Sequence, residues 1–321
     1  MKQARVEHID IAAGLMLTWM VLGHIASHAS YNSAFFSIDK YLSFFMPWFF
    51  YKAGLFYTEK PFNKSLLGGA KKLLIPFVVY SLIGQMFYYI CLLVENNISF
   101  RSFIYQPLRS LFVVECLPGN GALWYLVVLY AINLIAPYLL KRYSPILVAL
   151  LGVLIAYCCY LLDISWFPCI IPNVAAGLAF YVLGFYMRNK ENNWWVLLIA
   201  VAVYLVCCIM GYPSIYFHHN TAIDSVTYLL YFPASLAGII ILNNICRIVQ
   251  PYLKYSLMRW IGQNAMNIYV THWIVLVILR LVVQDLIKLD NTAQIFTIYM
   301  VTMVCVLPLF NIIIKRYKAL I

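Results

Sequence analysis

Apolar residues run along this chain in long blocks, without the narrow one-faced stripe that marks a helix on the surface of a soluble domain. Ten blocks stand near 9–29, 41–57, 73–94, 121–139, 146–162, 169–187, 194–211, 226–245, 260–281 and 293–314. Each falls within the roughly 17–25 residues that a helix needs to cross about 30 Å of hydrocarbon. The pattern predicts an all-α polytopic membrane bundle of about ten transmembrane helices. The stretch 100–118 is more polar and more broken, and predicts a short helix that lies on the surface or dips in. Prolines at 47, 76, 137, 172, 233 and 308 fall inside or at the ends of blocks. A membrane helix tolerates them where neighbouring helices satisfy the freed backbone groups.

Composition agrees and narrows the class. Of 321 residues, 64% are apolar and only 10% are charged, against about 25% charged in a soluble domain. Intrinsic disorder, a nucleic-acid-binding domain and a secreted disulfide scaffold are excluded. The net charge of +11 changes meaning once the charges are placed. With the N-terminus inside, 16 of the 22 Lys and Arg residues lie in loops on one side. The other side holds Lys40, Arg101, Arg109, Arg280 and Lys288, and Lys52 stays inside a block. Asp39, Glu95, Glu115, Asp163, Asp224, Asp285 and Asp290 fall on that poorer side. The asymmetry follows the positive-inside rule and predicts both termini in the cytoplasm. The first block carries Asp10 and His24, so it reads as a retained helix and not a cleaved signal. No domain boundary or soluble extension is visible, so residues 1–321 are expected to form a single transmembrane domain. The nine cysteines show no C-x-x-C spacing; they read as small core residues, and no metal is expected.

Ionisable groups at membrane depth are costly, so each is a candidate site residue. Asp10, His24 and His28 lie in the first block. Asp10 and His24 are 14 residues apart, which puts them near one helix face but about 21 Å apart along the axis. They share no proton. In the ninth block Asn264, Asn267, Thr271 and His272 make a polar stripe at i, i+3, i+7 and i+8. Counted from Trp260, His272 lies about 18 Å deep, close to the depth of His24, so the two imidazoles are expected to line one cavity. His28 reads as an interface residue, Lys52 as a side chain snorkelling to the inner interface, and His218 and His219 as outer-loop residues.

The segment Arg5-x-x-x-Ile9-Asp10-Ile11-Ala12-Ala13-Gly14, continuing to Val21-Leu22-Gly23-His24, resembles the opening of the membrane acyltransferase-3 family. Phe45-Met46-Pro47-Trp48-Phe49-Phe50-Tyr51-Lys52-Ala53-Gly54, Lys71-Lys72-Leu73-Leu74-Ile75-Pro76, Leu123-Trp124-Tyr125-Leu126 and the run Ile261 to His272 are similar to later family segments, in the family's order. The resemblance implies an integral inner-membrane enzyme that moves an acyl group, usually acetyl from acetyl-CoA, onto a hydroxyl of an extracytoplasmic glycan. The family's first-helix histidine corresponds to His24. Many members carry a basic residue eleven positions earlier, where this chain has Ala13, so Asp10 lacks that neighbour and Arg5, Lys71 or Lys72 must compensate.

On this reading Arg5, Lys71 and Lys72 are expected to hold the phosphates of acyl-CoA. Asp10, Trp124, Asn264, Tyr269 and His272 are expected on the substrate side. His24 either deprotonates the acceptor hydroxyl or carries the acyl group itself, since an imidazole suits both tasks near neutral pH. Membrane lipid, acyl-CoA and a glycan or lipid-linked saccharide are the expected partners. The alternatives are a transporter or flippase of a saccharide or small solute, and a non-catalytic partner of a glycan-synthesis complex. The first is weakened by the lack of a midplane carboxylate for ion coupling.

Overall fold

The computed structural model describes residues 6–32, 34–164, 170–253 and 256–317, and these form helices and turns with no strand. The α-helices, in chain order, are α1 (Glu7–His28), α2 (Phe45–Leu55), α3 (Phe62–Gly69), α4 (Ile75–Val94), α5 (Gln106–Val114), α6 (Trp124–Arg142) and α7 (Pro145–Leu161). They continue as α8 (Ile170–Met187), α9 (Trp194–Ile209), α10 (Ser225–Val249), α11 (Leu257–Gln263), α12 (Ala265–Arg280) and α13 (Thr292–Tyr317). Among the described residues seven helical segments are long and apolar enough to cross a membrane: Glu7–His28, Phe62–Val94, Trp124–Arg142, Ile170–Met187, Ser225–Val249, Ala265–Leu286 and Thr292–Arg316. The protein is therefore a multi-pass helical membrane protein. α7 and α9 are apolar but shorter, at 17 and 16 residues.

Three of the predicted blocks differ in detail, each for a local reason. The block 41–57 yields only the 11-residue α2, about 16 Å long. Pro47 lacks an N–H and suits a first helical turn, so it fixes the start of α2 at Phe45. The block 73–94 begins earlier, because α3 runs through a π-helical turn, Ala70–Leu74, into α4 ahead of Pro76. The block 260–281 is broken at Asn264, whose Nδ2 donates to the Trp260 carbonyl at 2.7 Å and competes with the helical ladder. The ambiguous stretch becomes a π turn, Arg101–Tyr105, followed by α5. It leaves Phe100, Phe103 and Phe112 exposed, as suits a helix lying at an interface.

Four helix starts carry the expected capping side chains: Ser144 before α7, Asn193 before α9, Asp224 before α10 and Ser256 before α11. Asp224 accepts from the Thr227 amide at 2.7 Å and from its hydroxyl at 2.9 Å. These bonds hold its carboxyl below the usual carboxylate range.

Contacts sort the loops into two ends. At one end Lys141 pairs with Glu59 at 2.9 Å, Arg259 with Glu7 at 2.5 Å, and Arg188 donates to the Tyr57 carbonyl. At the other, Arg280 pairs with Glu95 at 2.9 Å, and His218 meets the Val114 carbonyl at 3.0 Å. The basic loops collect at the first end, called the basic end below.

The core has two lobes. One packs α2, α7, α8 and α10 around Trp48, Phe50, Phe180 and Tyr231; the other packs α12 and α13 against the outer half of α1 around Leu17, Leu276 and Tyr299. Phe45, Phe49, Leu73 and Tyr125 touch both lobes and form the seam between them. Glycines set two close crossings. Gly54 and Gly184 press α2 and α8 backbone to backbone, and Gly14 and Gly262 do the same for α1 and α11.

A buried carboxylate ties the basic end together. Glu191, 5% exposed, accepts from Tyr51 Oη at 2.6 Å and from Asn243 Nδ2 at 3.0 Å, with Arg247 3.7 Å away. Trp48 Nε1 in turn donates to Asn243 Oδ1 at 2.9 Å. Glu191→Ala is expected to cost about 3–5 kcal/mol, because it strands these donors. A fall in the apparent melting temperature of the detergent-purified protein measures it; an unchanged value would show that the network is dispensable.

Candidate active site

The site starts from two histidines on neighbouring helices. His24 stands near the end of α1 and His272 in the middle of α12. Their rings stack at 5.5 Å between centroids, with 25° between planes. Trp273 meets His24 edge-on at 4.9 Å and His28 at 5.0 Å. His272 is fully buried, and its Nδ1 lies 2.7 Å from the Tyr269 carbonyl. A carbonyl only accepts, so Nδ1 carries the proton and Nε2 presents a lone pair with no hydrogen-bond partner among the described residues. His24 is half-buried and forms no ion pair among the described residues.

His24 faces a cavity of about 810 Å³ that opens at the end away from the basic loops. Its wall includes Trp19, Asp39, Lys40, Trp124, His218, Tyr269 and Trp273. The volume lies in the range of ordinary small-molecule sites. Aromatic rings beside a few charged and imidazole groups suit a polar ligand with apolar faces, as a sugar has.

Two further cavities continue towards the basic end. One of about 230 Å³ is walled mainly by apolar side chains, among them Leu17, Phe49, Leu126 and Met266, together with Lys52, whose ammonium lies 5.4 Å from the centre of the Trp48 ring. It shares Met46 and Tyr269 with the large cavity. The next, about 250 Å³, is lined by Lys60, Lys64, Lys72, Ser65 and Asn133. It shares Ala53, Phe56, Leu73 and Leu129 with the apolar one. Three spaces with common walls thus run from a lysine-lined mouth, along the seam between the lobes, to His24. The three lysines come from the loop before α3, from α3, and from the π turn that precedes Pro76. The extra residue of a π turn re-aims the side chains around it.

A comparison with family models gives a match over residues 6–311 to the acyltransferase-3 family, described as an acyltransferase domain. The chain belongs to the acyltransferase-3 family. No curated protein and no solved structure gives a match. Membership makes the protein a membrane acyltransferase, with an acyl donor and an acceptor to accommodate.

The residues expected from sequence differ in where they stand relative to these cavities. His24, Trp124 and Tyr269 line the large cavity, and His272 stands behind His24. Trp124 is buried, and His218 covers one of its faces. Lys71 and Lys72 are both exposed, and of the two Lys72 lines the basic mouth. Asp10 is buried at the α1–α11 crossing, where its backbone packs on Gly262, and it lies on none of the three cavities. Asn264 uses its amide at the break between α11 and α12. Asn267 and Thr271 of the same stripe bond to Asn311 and to the α12 backbone. Arg5 lies outside the described residues. Ala13 is fully buried, so a long basic side chain at that position has no open space beside it.

Lys60, Lys64 and Asn133 at the mouth, and Glu115 and His218 at the far end, carried no signal of their own in the sequence. The lysines were absorbed in the positive-inside count. His218 and Glu115 are separated by 103 positions and stand in different loops. Only the fold brings them together.

Proposed function

We propose that this protein is a cell-membrane O-acyltransferase that carries an acyl group, acetyl by default, from cytoplasmic acyl-CoA to a hydroxyl of a cell-surface or lipid-linked saccharide. The observation that carries the reading is the run of three wall-sharing cavities from Lys60, Lys64 and Lys72 to His24. In this reading residues 1–321 form one membrane domain of ten spans, and the basic end with both termini faces the cytoplasm.

Coenzyme A is a polyanion, and even a single charge at the bilayer centre is heavily penalised. Its phosphates therefore stay among the lysines at the mouth, while the thin, largely uncharged pantetheine arm lies along the apolar seam. That arm delivers the thioester to His24. The acceptor saccharide comes from the opposite side into the large cavity, against Trp124 and Tyr269. The hydroxyl oxygen forms its bond to the acyl carbon, the carbon–sulfur bond breaks, and CoA leaves as the thiolate towards the mouth, where it takes up a proton. His24 serves this transfer either by taking the hydroxyl proton or by carrying the acyl group between the two partners.

Sealed inverted membrane vesicles containing the protein test the reading, with labelled acetyl-CoA supplied on the cytoplasmic face. Label is expected in glycan or lipid-linked saccharide. Combined replacement of Lys60, Lys64 and Lys72 by alanine removes roughly 1 kcal/mol per exposed charge. The KM for acetyl-CoA is then expected to rise about 100-fold, and the contrast to shrink in high salt. Saccharide movement without label transfer would replace the enzyme by a carrier.

A further inference from the structure

We infer that His218 is the base that takes the proton from the acceptor hydroxyl, with Glu115 as its positioning residue, on a second wall of the His24 cavity. This inference rests on the acyltransfer reading above and divides the work between two imidazoles.

The geometry begins with the ring. His218 lines the same large cavity as His24. Its Nε2 lies 3.0 Å from the Val114 carbonyl and 3.8 Å from Glu115 Oε2. Because a carbonyl only accepts, Nε2 must hold the proton, and the lone pair of the neutral ring is on Nδ1. No hydrogen bond from the described residues claims Nδ1. The ring lies flat on Trp124, with centroids 4.4 Å apart and 9° between planes. A hydrogen bond on one side and an indole face beneath leave the imidazole little freedom to turn.

Glu115 is held for this contact at some cost. It is 5% exposed, and its backbone takes the left-handed conformation, with φ 54°, at the end of α5. Left-handed backbone is uncommon for a residue other than glycine, asparagine or aspartate, and it collects at functional sites. Asn173 Nδ2 donates to Oε2 at 3.3 Å, which orients the carboxylate, while Oε1 is buried with no hydrogen-bond partner among the described residues. A structural carboxylate would be expected to satisfy both oxygens. One that stabilises a positive charge arriving only during the reaction need not. When His218 takes up a proton, Glu115 becomes the counter-charge at 3.8 Å.

His24 lacks such a partner and has a second imidazole, His272, stacked beside it. It is the better nucleophile of the two and the worse place to leave a proton. The steps then balance as follows. A lone pair of neutral His24 forms a nitrogen–carbon bond to the thioester carbon, the carbon–sulfur bond breaks, and CoA departs as thiolate. The acceptor oxygen next forms its bond to the acyl carbon, the nitrogen–carbon bond breaks, and the hydroxyl proton passes to His218 Nδ1. His24 is restored neutral, and His218 releases its proton to the outer solution.

Hydroxylamine separates the two roles, because this strong nucleophile needs no general base. The full-length protein in vesicles is given labelled acetyl-CoA with either the native membrane glycan or hydroxylamine as acceptor. His218→Ala is expected to lose glycan transfer about 100-fold, the ordinary contribution of a general base, and to keep His24-dependent formation of acetohydroxamate. Glu115→Gln preserves the shape of the side chain and removes its charge. It is expected to lower the plateau rate and to move the acid limb of the pH–rate profile to lower pH, since the protonated base is less stabilised. The groups facing His218 that bear on this profile are Glu115 and His219, with His24, Asp39, Lys40 and Tyr216 on the shared cavity. Burial and the neighbouring His218 both lower the pKa of His219, so His219→Gln serves as the control: it is expected to leave the limb in place. Glycan transfer by His218→Ala within about threefold of wild type overturns the inference while leaving the acyltransferase intact, since a base is worth far more. Loss of both glycan and hydroxylamine reactions by His218→Ala overturns it as well, unless Glu115→Gln still shifts the limb. An inactive wild type in both assays overturns the acyltransfer reading itself.

Discussion

His24→Ala is expected to abolish acyl transfer, with a fall of about 1,000-fold or more in turnover and a protein that still reaches the membrane in normal amount. The side chain is half-buried on a cavity wall, and its removal deletes ring contacts to His272 and Trp273 without stranding an ion-pair partner. The stability cost is therefore modest compared with the chemical one. His24→Asn sharpens the test, since an amide keeps a polar group of similar size but is neither basic nor nucleophilic. Label transfer from acetyl-CoA, normalised to protein in the membrane, measures both. Transfer by either variant within tenfold of wild type, roughly 1.4 kcal/mol of barrier, would remove His24 from the chemistry.

The second large effect comes from a residue that does no chemistry. Ala53 stands on the wall shared by the lysine-lined cavity and the apolar one. Ala53→Phe fills that junction. Glycan transfer from acetyl-CoA is expected to fall on the order of 1,000-fold, equivalent to about 4 kcal/mol of lost donor binding. A small activated ester such as p-nitrophenyl acetate, supplied from the other face, bypasses the junction and should still acylate in a His24-dependent way. Normal use of acetyl-CoA by Ala53→Phe would show that the donor does not travel along the seam.

The fold class was legible because ten apolar blocks and the imbalance of lysine and arginine between alternate loops are properties of the chain alone. Counting from the basic ends of both helices places His24 and His272 at a common depth, and their rings do stack. Only His24 lines the large cavity, whereas His272 is fully buried behind it, so the two do not share the wall expected from depth alone. The polar stripe of α12 was legible as a stripe but not as a division of labour. Asn264 is spent on a helix break, Asn267 on Asn311 and Thr271 on its own backbone. Periodicity reports which face is polar and not where each hydrogen bond goes. The short α2 was hidden because aromatic residues extend the apolar block beyond the helix that Pro47 starts. The pairing of Glu115 with His218 joins two loops that are held by Asn173 of α8 and Trp124 of α6, and no spacing within either loop encodes it.

The mainly apolar middle of the proposed donor route has a bearing on the energetics of the whole cell. A protein pierced by linked cavities is a potential short circuit for the proton and ion gradients across its membrane. Between the lysine-lined mouth and the large cavity, however, stand Leu17, Phe49, Leu126 and Met266, with the cationic Lys52 on the same wall. Apolar side chains disfavour a continuous thread of water, and a fixed positive charge opposes the passage of protons and other cations. On the proposed donor route, the side chains that make room for the acyl donor are therefore expected also to keep the membrane electrically tight, so that turnover does not dissipate the voltage across it.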